Sequence, residues 1–146
     1  MIEKVVNGIK YLLNEETLTA EIVENEGNGS KINIPEIVVF NEVSYRVTCI
    51  KEKGFSGYPS LTSIIIPDSV TSIGEGTFLD CESLEEVVIG NSVTSIGGEA
   101  FCRCEMLTDI RFRGTIAQWR KIELGNGWND DVSATVVRCT NGNVNI

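Results

Sequence analysis

The chain has 146 residues, of which 42% are hydrophobic, and it carries 21 acidic and 12 basic residues, for a net charge of −9. This length fits one domain, and this apolar fraction is enough to bury a core, which argues against a disordered chain. The acidity argues against nucleic acid and against an anionic membrane surface as partners, because both are bound by basic faces.

The N-terminus shows no export signal, because the charges at Glu3, Lys4 and Lys10 leave no long apolar stretch. No apolar run elsewhere approaches the roughly 20 residues that span a bilayer. We therefore expect no insertion into a membrane. Two locations stay open on the residues alone: the inside of the cell, or the outside, if this is a mature fragment whose export signal is missing.

The first predicted element is a β-hairpin within residues 1–30. Its strands are the β-rich runs Ile9–Leu13 and Leu18–Val23, which flank the polar segment Asn14–Thr17. The segments that follow form a repeat, and a stack of repeats exposes its core at the ends unless something polar covers it. We therefore expect this hairpin to cap the N-terminal end.

The next segment, Ile32–Pro35, resembles the later segment Ile64–Pro67 and is expected to form an early, degenerate strand of the repeat. The stretch after it is longer than in the later copies. It holds two β-rich runs, Ile37–Phe40 and Val43–Val47, around a polar pair. These runs predict a hairpin inserted in the first coil, near residues 36–47.

A period of 23 residues dominates the middle of the chain (78 − 55 = 23 and 101 − 78 = 23 for the phenylalanines). Six apolar columns keep this period over three copies, which chance does not produce. The columns are Phe55, Phe78 and Phe101; Leu61, Leu84 and Leu107; Val47, Val70 and Val93; Ile50, Ile73 and Ile96; Ile64, Val87 and Ile110; and Ile66, Ile89 and Phe112.

Each copy contains the pattern L-x-x-[IV]-x-[IF], as in Leu61–Ile66, Leu84–Ile89 and Leu107–Phe112. The fourth and sixth positions alternate as in a β-strand and so point to one face. A second short extended piece such as Val70–Ile73 follows, and a glycine then turns the chain into a short helical or 3₁₀ segment. One copy cannot bury its apolar face alone, so the copies are expected to stack, with parallel strands about 4.8 Å apart.

The repeat stops after Phe112. Thr115 is a suitable N-cap for a short helix, Ile116–Ile122, with Ile116, Trp119 and Ile122 facing inward. Trp119 and Trp128 are expected to supply much of the buried area near this end, which is a more common use of tryptophan than stacking on a ligand.

The last predicted element is a second hairpin. Its strands, Ala134–Cys139 and Val144–Ile146, flank a Thr-Asn-Gly-Asn segment that is typical of a tight turn. We expect the helix and this hairpin together, residues 113–146, to cap the C-terminal end of the stack.

The repeat resembles the BspA-like family of leucine-rich repeats. The segment Ile66–Leu84 is IPDSVTSIGEGTFLDCESL, and Ile89–Leu107 repeats it as IGNSVTSIGGEAFCRCEML. The resemblance spans roughly residues 32–112 and extends into both flanks. It departs from the general leucine-rich consensus at Ser69 and Ser92, where asparagine or cysteine is usual, so a buried asparagine ladder is not expected.

This resemblance implies a secreted or cell-surface protein of a bacterium or protist, involved in adhesion to host or neighbouring cells. Together with the period, it predicts one domain over residues 1–146: a leucine-rich-repeat solenoid, mostly β with short helical or 3₁₀ turns. The solenoid has about three 23-residue coils within residues 31–112. An N-terminal β-hairpin cap covers residues 1–30, and a helix-plus-hairpin cap covers residues 113–146.

Cysteine and histidine usage points away from catalysis and metal binding. Histidine is absent, which removes the commonest general base and zinc ligand. Five cysteines are an odd number that does not suggest a disulfide framework. Cys81 and Cys104 share one core column and are interpreted as buried free thiols, although stacked coils about 5 Å apart would also allow a disulfide. The pair Cys102 and Cys104 lacks the partners of a zinc site.

Three other motifs are better explained as ordinary structure. The segment Gly74–Gly76 lacks the lysine and further glycine of a phosphate loop and is typical of a turn. The acidic residues of 80–86 have no deep cleft to perturb them and are expected to be solvated. The segment Asn129–Asp131 lacks the spaced oxygen ligands of a calcium loop. The sequence therefore predicts no catalytic residue, no metal and no cofactor.

One surface feature favours binding. Residues between the apolar positions of each strand must point away from the core, and stacked copies place them in two short rows. We predict that these rows bind a protein partner; they are Ser63, Ile65, Glu86, Val88, Asp109 and Arg111.

The predicted function is thus a non-enzymatic protein-binding repeat module, with adhesion at the cell surface as the activity that the resemblance implies. The alternative is a structural spacer or display domain that has no ligand of its own. The chain is expected to be a monomer.

Overall fold

The computed structural model describes residues 1–146 and arranges them in two β-sheets that face each other across one core. The strands are β1 (Ile2–Val6), β2 (Ile9–Asn14), β3 (Thr19–Asn25), β4 (Lys31–Asn33), β5 (Ile37–Phe40), β6 (Val43–Ile50), β7 (Ser63–Ile65), β8 (Ser72–Ile73), β9 (Glu86–Ile89), β10 (Ser95–Ile96), β11 (Asp109–Phe112), β12 (Glu123–Leu124), β13 (Val136–Cys139) and β14 (Gly142–Asn145). A single helix, α1, comprises Ile116–Trp119.

Each turn of the chain gives one strand to each sheet. The eight-stranded sheet has the order β1-β2-β3-β6-β8-β10-β12, with β5 beside β6, and the six-stranded sheet has the order β14-β13-β11-β9-β7-β4. The pairs β3/β4, β6/β7, β8/β9, β10/β11 and β12/β13 therefore mark successive turns, whose strands pair in parallel. The predicted solenoid is confirmed, but it has about five turns and not three.

The two outer turns escape a period search because their lengths differ from 23. On the inner side of the six-stranded sheet, Ile32 precedes its partner Ile64 by 32 residues (64 − 32 = 32). At the other end, Val137 follows its partner Ile110 by 27 residues (137 − 110 = 27). The first interval contains the β5–β6 hairpin, and the second contains α1. Equivalent positions are therefore in register in space but not in the sequence.

The apolar columns form the core, as their period requires. Leu61, Leu84 and Leu107 are each 0% exposed and lie in one apolar cluster with the other columns. The ring of Phe78 stacks between Phe55 and Phe101, with centroid distances of 5.5 Å and 5.1 Å. Apolar burial stabilises the stack roughly in proportion to the area removed from water, so the middle turn, covered on both sides, contributes most.

Helix α1 begins as predicted and is shorter than predicted. The hydroxyl of Thr115 accepts a hydrogen bond from the Gln118 backbone N–H at 3.2 Å, and the Gln118 side chain accepts one from the Thr115 N–H at 2.8 Å. This capping box fixes the start of the helix. The helix ends at Trp119, three residues earlier than expected (122 − 119 = 3), because Glu123–Leu124 must be extended to pair with β10.

Glycines let the backbones of neighbouring turns touch along one corner of the solenoid. Gly97 donates its N–H to Ile73 O at 2.8 Å, and Gly125 donates to Ile96 O at 2.8 Å. A Cβ built on Gly97 would lie 2.4 Å from the backbone N of Glu75, and one on Gly125 would lie 2.2 Å from that of Gly98. No side chain fits in this column, so glycine is required by space and not by its φ angle.

The strand β1 is absent from the sequence-based predictions. It pairs antiparallel with β2 through Asn7 and Gly8, whose φ angles are 49° and 81°. Two residues with positive φ between antiparallel strands form a type I′ turn, for which Asn-Gly is the preferred sequence. The Asn-Gly pair between two apolar runs is the signal that would have predicted this strand.

Tyr11 on β2 gives the fold a dependence on alkaline pH. Its side chain is 1% exposed, and burial raises the pKa of its phenol to about 12. The unfolded chain releases this proton near pH 10, as an ordinary tyrosine does. The stability that the neutral phenol confers is therefore fully present below about pH 10 and is lost as the pH rises towards about 12.

We expect Tyr11→Phe to reduce the fall in melting temperature between about pH 10 and pH 12. The phenylalanine ring retains the packing but has no proton to lose. Thermal melts of the wild-type and variant proteins across this range measure the effect. Parallel curves for the two proteins would contradict the assignment.

Candidate functional site

The outer face of the six-stranded sheet consists of two rows of side chains in register. The first row is Lys31, Ser63, Glu86 and Asp109, and the second row is Asn33, Ile65, Val88, Arg111 and Arg138. All six residues predicted from the sequence are brought together here, in β7, β9 and β11. That this outer face binds a partner stays a prediction.

The direction of these side chains follows from strand alternation. Ile64, Val87 and Ile110 point inward and are at most 1% exposed. Their neighbours along each strand must point outward, since successive side chains of a strand lie on opposite faces. Glu86 and Arg111 are exposed, whereas the other predicted residues are half-buried by the strands beside them. The backbone of the stacked turns therefore holds the face in a fixed geometry.

An apolar patch lies in the middle of the second row. Ile65 and Val88 are directly paired across β7 and β9, and both are half-buried. Their row continues to the uncharged Asn33 on one side and to Arg111 on the other. An apolar pair that borders a cation is suited to a partner that presents both an apolar and an acidic group.

A group of three arginines lies at the C-terminal side of the outer face. Arg111, Arg113 and Arg138, with Val88 and Thr140 among their neighbours, line a shallow hollow of about 420 Å³. We call these three residues the arginine group.

One carboxylate holds part of the arginine group in place. An oxygen of Asp109 lies 3.1 Å from Nη2 of Arg111, and the other lies 4.0 Å from Nε of Arg138. Arg113 makes no salt bridge. Exposed ion pairs stabilise a fold by at most about 1 kcal/mol, so the carboxylate of Asp109 orients the guanidinium of Arg111 but binds it only weakly. Even with Glu86, which is paired with Asp109 on the neighbouring strand, three cations face two anions, which leaves a local positive excess in an acidic protein.

Arg113 and Arg138 are members of this site that were not predicted from the sequence. Arg138 lies on β13, in the fifth turn, whose offset of 27 residues hides its register with Arg111. Arg113 lies just past β11, where the backbone N–H still donates to Ile89 O at 2.9 Å and so continues the ladder. Extending the inside–outside alternation by one more pair beyond Arg111 would have identified Arg113.

The chemistry of these groups suits hydrogen bonding and apolar contact. A guanidinium binds a carboxylate through two parallel hydrogen bonds, and apolar side chains add burial around that contact. No group of three or more histidine, cysteine, aspartate or glutamate residues is placed to hold a metal ion.

The five cysteines are all free thiols in the structure. Cys81 and Cys104 are 0% exposed and lie in one column. The Cys81 thiol donates to Phe55 O at 3.1 Å, and the Cys104 thiol donates to Phe78 O at 3.0 Å. The neighbouring Cys81 thiol, together with burial, raises the pKa of Cys104. The hydrogen bond with Cys104 lowers the pKa of Cys81, but both thiols are fully buried and out of reach of reagents, so a structural role follows for both.

We expect alkylation of the folded protein at about pH 8 without reductant to leave Cys81 and Cys104 unmodified. Mass spectrometry of the alkylated protein should find no intramolecular crosslink. Cys49, Cys102 and Cys139 are half-buried and should react slowly, because burial raises their pKa values as well. Alkylation after denaturation provides the control, since it should modify all five. A stoichiometric Cys81–Cys104 disulfide would overturn this prediction and would indicate an oxidising compartment.

Comparison with known proteins adds a family match. The model of the BspA type leucine rich repeat region, in six copies, matches residues 21–123. This match begins before and ends after the region of residues 32–112 that carries the resemblance in sequence. No curated protein sequence matches the chain. The one helix has four residues, so the structure contains no helix with the length and apolarity needed to cross a bilayer.

Solved structures of bacterial leucine-rich proteins resemble the chain over most of its length. A leucine-rich repeat protein from Bacteroides capillosus is 25% identical with a TM-score of 0.78, and the match covers 94% of this chain and 97% of that one. A leucine rich cell surface protein from Faecalibacterium prausnitzii is 29% identical with a TM-score of 0.71, covering 95% of this chain and 43% of its own. A leucine-rich repeat protein from Bacteroides ovatus is 26% identical with a TM-score of 0.76, and the match covers 93% of this chain and 37% of that one. The chain thus spans less than half of the last two proteins.

Proposed function

The chain belongs to the BspA-type leucine-rich repeat family, and from that premise we propose that it is a non-enzymatic protein-binding module whose partner docks on the outer face. The docking residues are Ser63, Ile65, Glu86, Val88, Asp109 and Arg111, extended by Arg113 and Arg138.

The register of the two rows is the observation that carries this proposal. Five strands in parallel register give the outer face a regular backbone, from β4 to β13. A rigid face loses little conformational entropy when a partner binds, so more of the contact energy appears as affinity. Extended faces of this kind are the usual binding surfaces of repeat solenoids.

The chemistry of the outer face favours a particular partner surface. An apolar side chain would cover Ile65 and Val88, and a carboxylate would meet the arginine group. Arg111 is the best single anchor, because arginine is enriched at interface hot spots and Asp109 already orients it. Elsewhere the net charge of −9 repels acidic partners, so the arginine group favours one docking orientation.

We further propose that the protein acts at a bacterial cell surface, as a monomer, and that the interaction serves adhesion. Support comes from the resemblance and from the Faecalibacterium prausnitzii structure, which is that of a leucine rich cell surface protein.

The double variant Val88→Glu with Arg111→Glu tests the site. Val88→Glu places a charge in the apolar patch, and Arg111→Glu reverses the charge of the anchor residue. We therefore expect a loss of affinity of more than about 100-fold for a partner isolated from neighbouring-cell or host extracts. The free energy of unfolding should change by no more than about 0.5 kcal/mol for the exposed Arg111, and thermal melts should show that the half-buried Val88→Glu change leaves the protein folded. Binding of the wild-type protein should also weaken as salt is raised, because the arginine contacts are electrostatic.

A matched control makes the same two chemical changes away from the outer face. Val43→Glu with Arg46→Glu replaces exposed residues of β6 and alters the net charge by the same amount. This control should keep full affinity. Retained binding in the Val88/Arg111 variant would place the site elsewhere. The absence of any partner whose capture depends on these residues would favour the spacer or display role.

A further inference from the structure

At the N-terminal end, the eight-stranded sheet extends further along the solenoid axis than the six-stranded sheet. The eight-stranded sheet continues past β3 to β2 and β1, whereas the six-stranded sheet ends at β4. Since β3 and β4 belong to the same turn, no strand of the six-stranded sheet stands opposite β1 and β2. A hollow of about 560 Å³ lies there, between the β1–β2 hairpin, β4 and β5. This volume is within the range of ligand-binding pockets, about 300–1,000 Å³. We call it the terminal hollow.

The walls of the terminal hollow are apolar on the side of the core. Ile9, Ile32 and Val38 line it together with Ile37, which is 45% exposed. Tyr11 also lines it, and most of its side chain is buried in the core.

The free edge of β4 offers main-chain hydrogen bonds at the rim of this hollow. Ser30 O accepts from Thr62 N–H at 2.7 Å, and Ile34 N–H donates to Ile65 O at 3.0 Å, so these groups face β7. Backbone groups of a strand alternate in direction, which turns the N–H and C=O groups of Lys31 and Asn33 away from β7. Both residues line the hollow. An unpaired strand edge is a template for another strand.

Charge defines what kind of strand fits. Lys31 is the one charged residue that lines the terminal hollow, and its ammonium group makes no salt bridge. Its side chain begins the first row of the outer face, next to Ser63. A strand added beside β4 would place one of its own outer side chains across from Lys31, where a carboxylate is favoured and a cation is disfavoured.

We propose that the free edge of β4 captures an extended segment of a partner protein as an added strand. Alternate side chains of that segment are apolar and fill the terminal hollow beside Ile32 and Tyr11. The intervening side chains face outward, and one of them is acidic and pairs with Lys31. Main-chain bonds to Lys31 and Asn33 supply affinity, and the alternation supplies specificity. This site is separate from the arginine group and does not depend on it.

The probe is a blocked seven-residue peptide of alternating threonine and valine with one central glutamate in place of a threonine. Its counterpart carries lysine at that position. Titration into ¹⁵N-labelled protein should shift the amide signals of Lys31 and Asn33 saturably. The glutamate peptide should bind about three- to fivefold more tightly than the lysine peptide, as expected for one cross-strand charge pair.

Two variants separate this mode from other binding. Lys31→Glu should reverse the preference between the two peptides, whereas Lys53→Glu, an exposed lysine in a turn, should leave it unchanged. Asn33→Pro removes a donor from the free edge while sparing the bonds to β7, and it should weaken binding about tenfold. Thermal melts establish whether the variants are folded. If Asn33→Pro does not fold, the charge reversal in Lys31→Glu is sufficient to test strand capture beside β4.

Several results would overturn the proposal. Peptide-induced shifts confined to Val88 and Arg111 would assign strand capture to the outer face instead. Unchanged preference in Lys31→Glu would exclude pairing beside β4. Self-association through β4, seen by sedimentation and not displaced by the peptide, would identify a second copy of the chain as the occupant. The Val88/Arg111 double variant should bind the peptide normally. Failure of strand capture at β4 can therefore be distinguished from failure of docking on the outer face.

Discussion

Gly97→Ala is expected to destabilise the protein by at least about 3 kcal/mol, because the added methyl group has nowhere to go. Its position would be 2.4 Å from the backbone N of Glu75 and 2.6 Å from the carbonyl carbon of Gly74. Both atoms belong to the backbone of the preceding turn, which cannot retreat without breaking the hydrogen bond from Gly97 N–H to Ile73 O. Urea denaturation followed by circular dichroism measures the loss.

Gly29→Ala provides the matched control. A Cβ at Gly29 would meet no atom within 4 Å, and its φ is not in the left-handed region. Here alanine should be neutral or stabilising by up to about 1 kcal/mol, because it restricts the unfolded chain. Equal effects of the two substitutions would show that the glycine column does not set the spacing between turns.

The second large effect is expected at Leu84. This residue is 0% exposed and lies in the core column between Leu61 and Leu107. Truncation to alanine removes buried apolar area and leaves a cavity that the rigid turns on either side cannot close. Leu84→Ala should therefore cost about 2–5 kcal/mol of unfolding free energy, as buried leucines do.

Leu124→Ala makes the same chemical change on the short edge strand β12, where the side chain is 40% exposed. Its cost should be clearly smaller, below about 1.5 kcal/mol, since less area returns to water. A melting temperature of Leu84→Ala within error of the wild-type value would mean that the assigned column is not the core.

The middle of the fold is predictable from the sequence, and its ends are not. Identical lengths of successive copies put Leu61, Leu84 and Leu107 in register in the sequence itself, and the BspA-like resemblance rests on the same copies and is confirmed. The first and fifth turns are interrupted by the β5–β6 hairpin and by α1. Nothing in a fixed period reveals a register that depends on how an insertion folds.

The same limit applies to the sites. Strand alternation alone places Ser63, Glu86 and Asp109 in one row and Ile65, Val88 and Arg111 in the next, as the structure does. Arg138 joins them only through the pairing of β11 with β13, which the sequence does not show. The terminal hollow depends on the mismatch in height between the two sheets, which is a property of the assembled fold and of no local segment.

The 23-residue copy is also a unit of length. Inserting one further copy after Ile89 would add one strand to each sheet and lengthen the molecule by about 4.8 Å. The new turn would meet surfaces of the kind already present between existing turns, so neither end would need to change. Duplication of one short coding segment is therefore enough to widen the footprint that the protein offers. The size of the surface can in this way evolve separately from the residues that give it selectivity.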